Sequence, residues 1–298
     1  MIEQFIDKRF SASSLTIIEQ ANTILREYDQ QGLVLTLRQL YYQFVSRGLM
    51  PNKQSEYKRL GTIISDARLA GMVDWDMVED RARHLRDVSK WDSPVEIIEA
   101  VAQQYREDIW RNQRWRPEVW IEKDALSGVI ERPCHDLRVP YFACRGYSSQ
   151  SAQYEAGQRF RRWREAGQTP IVFHLGDHDP SGLDMTRDNG DRLTMFARFD
   201  VRIERLALNM DQVERYAPPP NPAKEADSRA SDYILRYGRK SWELDALEPT
   251  VIVQLIRDAI EPLINRRKWN AALKAETDGR DGLKAVSDRW DDVREFVR

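Results

Sequence analysis

Between Glu118 and Leu208 the sequence alternates short apolar runs with amphipathic stretches, and this alternation constrains the fold more than any other feature. The runs are EVWIE, PYFAC, PIVFHL and VRIERLAL, with helical patterns starting at Asp124, Gln150 and Ser181 between them. Repeats of strand, helix and strand predict a mainly parallel α/β sheet with helices on both faces, because parallel neighbours need a crossover and a helix commonly supplies it. Ligands of such sheets sit at the carboxyl ends of the strands. Beyond the loop PPPNP at Pro218 to Pro222, helical patterns resume in ELDALEP and VIVQLIRDAIEPLI.

The first third reads differently. Leu15, Ile17, Ile18, Ala21, Ile24, Leu25 and Tyr28 recur at helical spacing, with Gly32 as a stop. Thr36 is placed to cap a second helix, whose stripe is Leu37, Leu40, Tyr41, Phe44 and Val45. A third helix, SEYKRLGTIISDARLAG, carries Tyr57, Leu60, Ile63, Ile64 and Ala67 on one side and Lys58, Arg59 and Arg68 elsewhere. MVDWD then reads as a short strand. Three helices and a small strand predict a winged-helix DNA-binding domain over residues 1–112, with Arg59 and Arg68 as DNA contacts; a plain helical scaffold or a partner-binding module fits the same order. A helix from Pro94 to Trp110 and an exposed connector, RNQRWRPE, lead to an α/β domain over 117–298.

Composition excludes several classes. With 298 residues, 41% hydrophobic and 32% charged, the chain is long enough for two domains and has no apolar run able to span a bilayer. The N-terminus MIEQFIDKRF has no continuous apolar core, so a secretory signal is not expected and a cytoplasmic location is. Cys134 and Cys144 form no CxxC pair, and His84, His135, His174 and His178 lack zinc spacing. A net charge of −2 means that any DNA-binding surface must be local.

The chemistry concentrates where strands end. Glu122 directly follows VWI, and Asp177 and Asp179 follow IVFHLG in the turn GDHDPSG. Carboxylates at adjacent strand termini suit magnesium, which takes a few hard oxygen ligands and keeps waters that a phosphate can displace. Gly176 and Gly182 allow a tight backbone, and Pro180 can open the next helix. The bland alternative is that Asp177 and Asp179 cap a helix while Glu122 pairs with Lys123 or an arginine. Tyr42 lies about 100° round its helix from Tyr41, off the apolar stripe and over Arg38, four residues back.

VWIEKDALSGVI and LGDHDPSGLDM resemble the two signature segments of the Toprim domain, as found in the A subunit of type IIB DNA topoisomerases (topoisomerase VI) and its meiotic double-strand-break relatives. TLRQLYYQF resembles the family segment that carries an arginine and, four residues later, the nucleophilic tyrosine; RGY at Arg145 to Tyr147 and GRKSWELDAL at Gly238 to Leu247 resemble further segments in the same order. Ser148 stands where the topoisomerase subunits usually have proline, and there is no P-loop, so strand passage would need a separate ATPase subunit.

The resemblance implies a winged-helix domain followed by a Toprim domain with a Rossmann-like sheet and C-terminal helices. It implies a homodimer that cleaves duplex DNA with Mg2+, Tyr42 attacking to leave a 5′-phosphotyrosyl end. Asp177 and Asp179 would hold metal, Glu122 would ligate metal or act as general acid/base, and Arg38 would stabilise the phosphate. Lys123 and Arg145 would be further phosphate contacts, and Tyr42 would meet the Toprim site of the opposite subunit. The alternatives are a metal-dependent nuclease using water and a catalytically silent DNA-binding or assembly protein.

Overall fold

A computed structural model describes residues 2–79, 90–223, 227 and 229–297. The N-terminal unit is built from α1 (Ala12–Asp29), β1 (Leu35–Thr36), α2 (Leu37–Ser46), α3 (Gln54–Leu69) and β2 (Val78–Glu79). The apolar stripes read from the sequence form its core: Ile18, Ile24, Leu25, Leu40, Phe44, Leu60 and Ile64 are all buried together. Each such side chain contributes on the order of 1.5–3 kcal/mol relative to exposure.

The chain continues through α4 (Pro94–Gln104), β3 (Trp115–Ile121), α5 (Ser127–Asp136), β4 (Tyr141–Ala143), α6 (Gln150–Glu165), β5 (Thr169–Leu175), α7 (Pro180–Ala197) and β6 (Arg202–Ala207). Then come α8 (Met210–Tyr216), β7 (Asn221–Pro222), α9 (Ala230–Tyr237), β8 (Lys240–Ser241), α10 (Pro249–Ile260), α11 (Arg266–Asp288) and α12 (Trp290–Val297). The central sheet has the order β4-β3-β5-β6 and every pairing is parallel, as the alternation predicts. Successive residues of β3 serve opposite faces. Val119 and Ile121 join Val129, Ile130, Ile252 and Ile256 from α5 and α10, whereas Trp120 joins Phe160, Leu193 and Ala197 from α6 and α7. This two-sided burial explains why the strands read as continuous apolar runs.

Four expectations need correction. MVDWD is not a strand: Asp74 accepts the Asp76 N–H at 2.9 Å and starts a 3₁₀ turn, Trp75–Met77, so extended pairing begins only at Val78. The helix from Pro94 stops at Gln104 instead of Trp110, because α11 takes the backbone beyond it. Arg280 donates to the Tyr105 carbonyl at 3.1 Å, and Glu276 accepts the Glu107 N–H at 2.9 Å. RNQRWRPE is only partly a connector, since Trp115, Arg116 and Pro117 already belong to β3. Pro117 is tolerated there because β4 pairs with β3 only from Val119 onward. ELDALEP is a single 3₁₀ turn, Leu244–Ala246, with α10 starting at Pro249.

Among the described residues, the strands β1 and β2 form a two-residue parallel pair, and the hairpin of a wing is not among the described elements. Segment 94–112 packs away from the N-terminal core: α4 lies along α11, and Ile109 and Trp110 are buried with the sheet. Among the described residues no helix is long and apolar enough to cross a membrane.

Candidate active site

The site lies at the carboxyl end of the sheet, where α2 of the N-terminal unit meets the loops after β3 and β5. The start of α2 is fixed by a capping box. Thr36 Oγ1 accepts the Gln39 N–H at 3.3 Å, and Gln39 Oε1 accepts the Thr36 N–H at 2.8 Å. That pins the helix one turn ahead of Tyr42. The Arg38 guanidinium stands 5.8 Å from the centre of the Tyr42 ring, the neighbourhood that helical spacing predicts. Tyr41 and Tyr42 diverge as expected. Tyr41 belongs to the N-terminal core, its hydroxyl accepting the Lys53 N–H at 2.8 Å. Tyr42 is equally buried but outside that core, and it lines a cavity of about 270 Å³ with Arg38, Asp177, Asp179, Asn221 and Glu243.

The turn after β5 is built by steric necessity. A Cβ on Gly182 would lie 2.2 Å from the Asp177 carbonyl oxygen, and one on Gly176 would lie 2.9 Å from Glu122 Oε2. Asp179 Oδ1 accepts the Gly182 N–H at 2.7 Å and caps α7, with Pro180 in the first turn. Glu122 Oε2 accepts the Asp177 N–H at 2.9 Å, and Asp177 Oδ1 accepts the Leu244 N–H at 2.8 Å. The helix-capping alternative thus holds for Asp179. Glu122 bonds to backbone, and among the described residues neither Lys123 nor an arginine is hydrogen-bonded to it.

Three residues not singled out from the sequence complete the site. Arg205, inside VRIERLAL, donates to the carbonyls of Gly176 at 2.9 Å, Asp177 at 2.5 Å and Gly182 at 2.8 Å, and so braces the whole turn. No local signal marks it, because β6 also carries Arg202 and Glu204 and only Ala207 of the strand is fully buried. Glu243 and Asp245, within GRKSWELDAL, arrive because Trp242 and His178 exchange backbone hydrogen bonds at 2.8 and 3.0 Å. Lys123 Nζ then lies 3.0 Å from Asp177, 2.9 Å from Glu243 and 3.0 Å from Asp245. Arg38 pairs with Glu243 and reaches Asp245 Oδ2 at 2.7 Å, a contact close enough for an ion pair but not aligned as a hydrogen bond.

Burial pushes the Asp177 carboxyl up to about 7, with Lys123 opposing and Glu122 and Asp245 adding repulsion. Burial likewise raises Glu122, assisted by the Asp179 charge. Lys123 and Arg38 together hold Glu243 down at about 2 against its burial. Tyr42 is raised by burial and by Asp245 and Glu243; Arg38 and Asn221 pull the other way.

Five carboxylates, Glu122, Asp177, Asp179, Glu243 and Asp245, therefore crowd around three cations, Arg38, Lys123 and Arg205. The donors are of the type a hard divalent cation takes, and among the described residues no hydrogen bond engages Glu122 Oε1 or Asp179 Oδ2. Among the described residues, however, no three His, Cys, Asp or Glu side chains are drawn together as a closed metal cluster. Lys123 takes the Asp177 oxygen that faces it.

The other proposed contacts lie elsewhere. Arg145 is exposed and pairs with Asp124 at 3.0 Å; Arg59 pairs with Glu56 at 3.1 Å. Arg68 holds the Trp75 and Val78 carbonyls and covers the Trp75 ring at 5.1 Å, which is a structural task. His174 and His178 bond to Thr186 and Tyr233 through Nδ1, and burial pushes them down to about 3 and about 4. His84 lies outside the described residues. No family model matches the chain, and no curated protein matches it.

Proposed function

We propose that this chain cleaves duplex DNA through a Toprim-type site, with the Tyr42 hydroxyl as nucleophile and magnesium as cofactor. One observation carries the reading: a tyrosine–arginine pair and the two aspartates of a strand-end DxD turn line the same cavity. The Tyr42 oxygen attacks the phosphorus, the 3′ oxygen leaves, and the protein stays on the 5′ phosphate. Burial among carboxylates disfavours the free phenolate, so the proton needs an acceptor. Glu122, raised by burial, is the acceptor that the resemblance assigns, and Asp177, raised as well, is the carboxylate that shares the cavity with Tyr42. Arg38 would turn from Glu243 toward the phosphate as charge develops there. Magnesium, held by Glu122 and Asp179 with Asp177, would neutralise charge on the phosphate.

The buried, raised Tyr42 hydroxyl favours one rival, a metal-dependent nuclease in which water attacks and leaves free ends. A silent DNA-binding protein would bind DNA without cutting it. Incubation with supercoiled plasmid and Mg2+, then a denaturing quench with and without protease, separates all three. Protein on 5′ ends supports tyrosine, free ends support water, and uncut plasmid supports the silent protein. A dimer, a separate ATPase subunit and winged-helix docking on DNA belong to the same proposal.

A further inference from the structure

We infer that Glu243 and Asp245 are positioning residues that hold the Tyr42 helix against the carboxylates of its own chain, so that the composite site is completed within one chain. The functional half of this inference rests on the reading of Tyr42 as nucleophile; the structural half does not.

Tyr42 and Arg38 come from α2, Asn52 from the loop after it, Asp177 and Asp179 from the turn after β5, and Asn221 and Glu243 from the segments around β7 and β8. All belong to the same chain. Polar contacts stitch the two sides together. Asn52 Nδ2 donates to Asn221 Oδ1 at 3.0 Å, Asn221 Nδ2 donates to Glu243 Oε1 at 3.2 Å, and Gln43 Nε2 donates to Glu248 Oε1 at 3.2 Å. Tyr28 also donates to Glu248. All of these contacts are polar, and Val253 of α10 adds an apolar one by packing against the N-terminal core. Around the cavity itself the two sides meet through charge and hydrogen bonds, with an ionic centre between them.

That centre is the Glu243–Asp245 pair. Each carboxylate is shared between Arg38, on the tyrosine helix, and Lys123, next to Glu122. Asp245 is only 3% exposed, so its charge acts through little solvent and cannot be replaced by water. No other described carboxylate touches both cations. Removing one would leave Arg38 and Lys123 underpaired at the seam and loosen Tyr42 from the DxD turn, a displacement of the kind that costs rate more than binding.

The test uses the full chain with Asn52→Cys and Asn221→Cys, treated with a short bis-maleimide; Cys134 and Cys144 are buried, and each single-cysteine chain is the control. Rapid linking within one chain is expected, about tenfold slower when Glu243→Gln or Asp245→Asn is added while the melting temperature of the partly exposed Glu243→Gln chain hardly moves. Linked pairs of chains as the main product would overturn completion within one chain, and an unchanged linking rate in both variants would overturn the positioning role. In cleavage, Glu243→Gln should lower kcat about tenfold with DNA affinity unchanged, and mixing Tyr42→Phe with Glu122→Gln chains should restore nothing. Parental cleavage by Tyr42→Phe would instead refute the nucleophile reading and leave the linking result standing.

Discussion

Two buried ionic clusters in this molecule look alike in composition and differ in balance. Around Glu276, one carboxylate accepts from Arg138 at 3.0 Å and from Arg280, with Arg106 at 4.0 Å and the Glu107 N–H at 2.9 Å. Cations are in excess, every Glu276 oxygen is engaged, and the result ties α4 and its following loop to α11. At the sheet's carboxyl end the excess is reversed: five carboxylates share three cations and open onto a cavity. A cluster that over-satisfies its buried charge locks structure. One whose carboxylates repel one another beside a cavity is the arrangement expected of the cation site proposed above.

The contrast can be broken by mutation. Glu276→Ala takes the shared carboxylate from three partly exposed arginines and the acceptor from the Glu107 N–H, and should cost about 3 kcal/mol in a denaturant melt, with cleavage per folded molecule unchanged. Loss of cleavage without loss of stability would erase the distinction. Asp177→Asn and Asp179→Asn should each lower cleavage by about 100-fold, about 2.7 kcal/mol, while the melt shifts by less than about 1 kcal/mol. If both variants unfold and still cut when folded, the carboxylate cluster is structural after all. Gly182→Ala drives a methyl into the Asp177 carbonyl and should cost about 1–3 kcal/mol of stability and impair cleavage as the turn shifts; an unchanged melt would show that the turn can relax. Tyr41→Phe, which loses the bond from the Lys53 N–H, should cost about 1 kcal/mol and keep most activity. A Tyr41→Phe chain that folds normally but cannot cleave would move the chemistry to the neighbouring ring.

The parts of the site that were legible in the sequence are those specified locally. The glycines, Asp179 and Pro180 encode the turn within seven residues, and the Arg38–Tyr42 ridge follows from helical periodicity alone. What was not legible depends on distant pairing. Glu243 and Asp245 reach the turn only because Trp242 bridges His178, 64 positions earlier in sequence by the numbering, and no local pattern announces that bridge. The same applies to α4: its helical pattern continues past Gln104, and the side chains of Glu276 and Arg280, distant in sequence, take the backbone beyond it. Tyr42 presents a subtler case. Its place off the apolar stripe was readable, but its burial against the sheet's carboxyl end required the seam itself.

The most direct test of the central claim compares the parental chain with Tyr42→Phe on supercoiled plasmid in Mg2+, quenched under denaturing conditions and analysed before and after protease. Tyr42→Phe keeps the ring and loses the hydroxyl proposed as nucleophile together with its hydrogen bond to Asn221, so its melt should fall by no more than about 1 kcal/mol. Protein-bearing 5′ ends are expected from the parent and none from the variant. Free ends from both chains at equal rate would contradict it and leave α2 a DNA-binding scaffold beside a site that activates water.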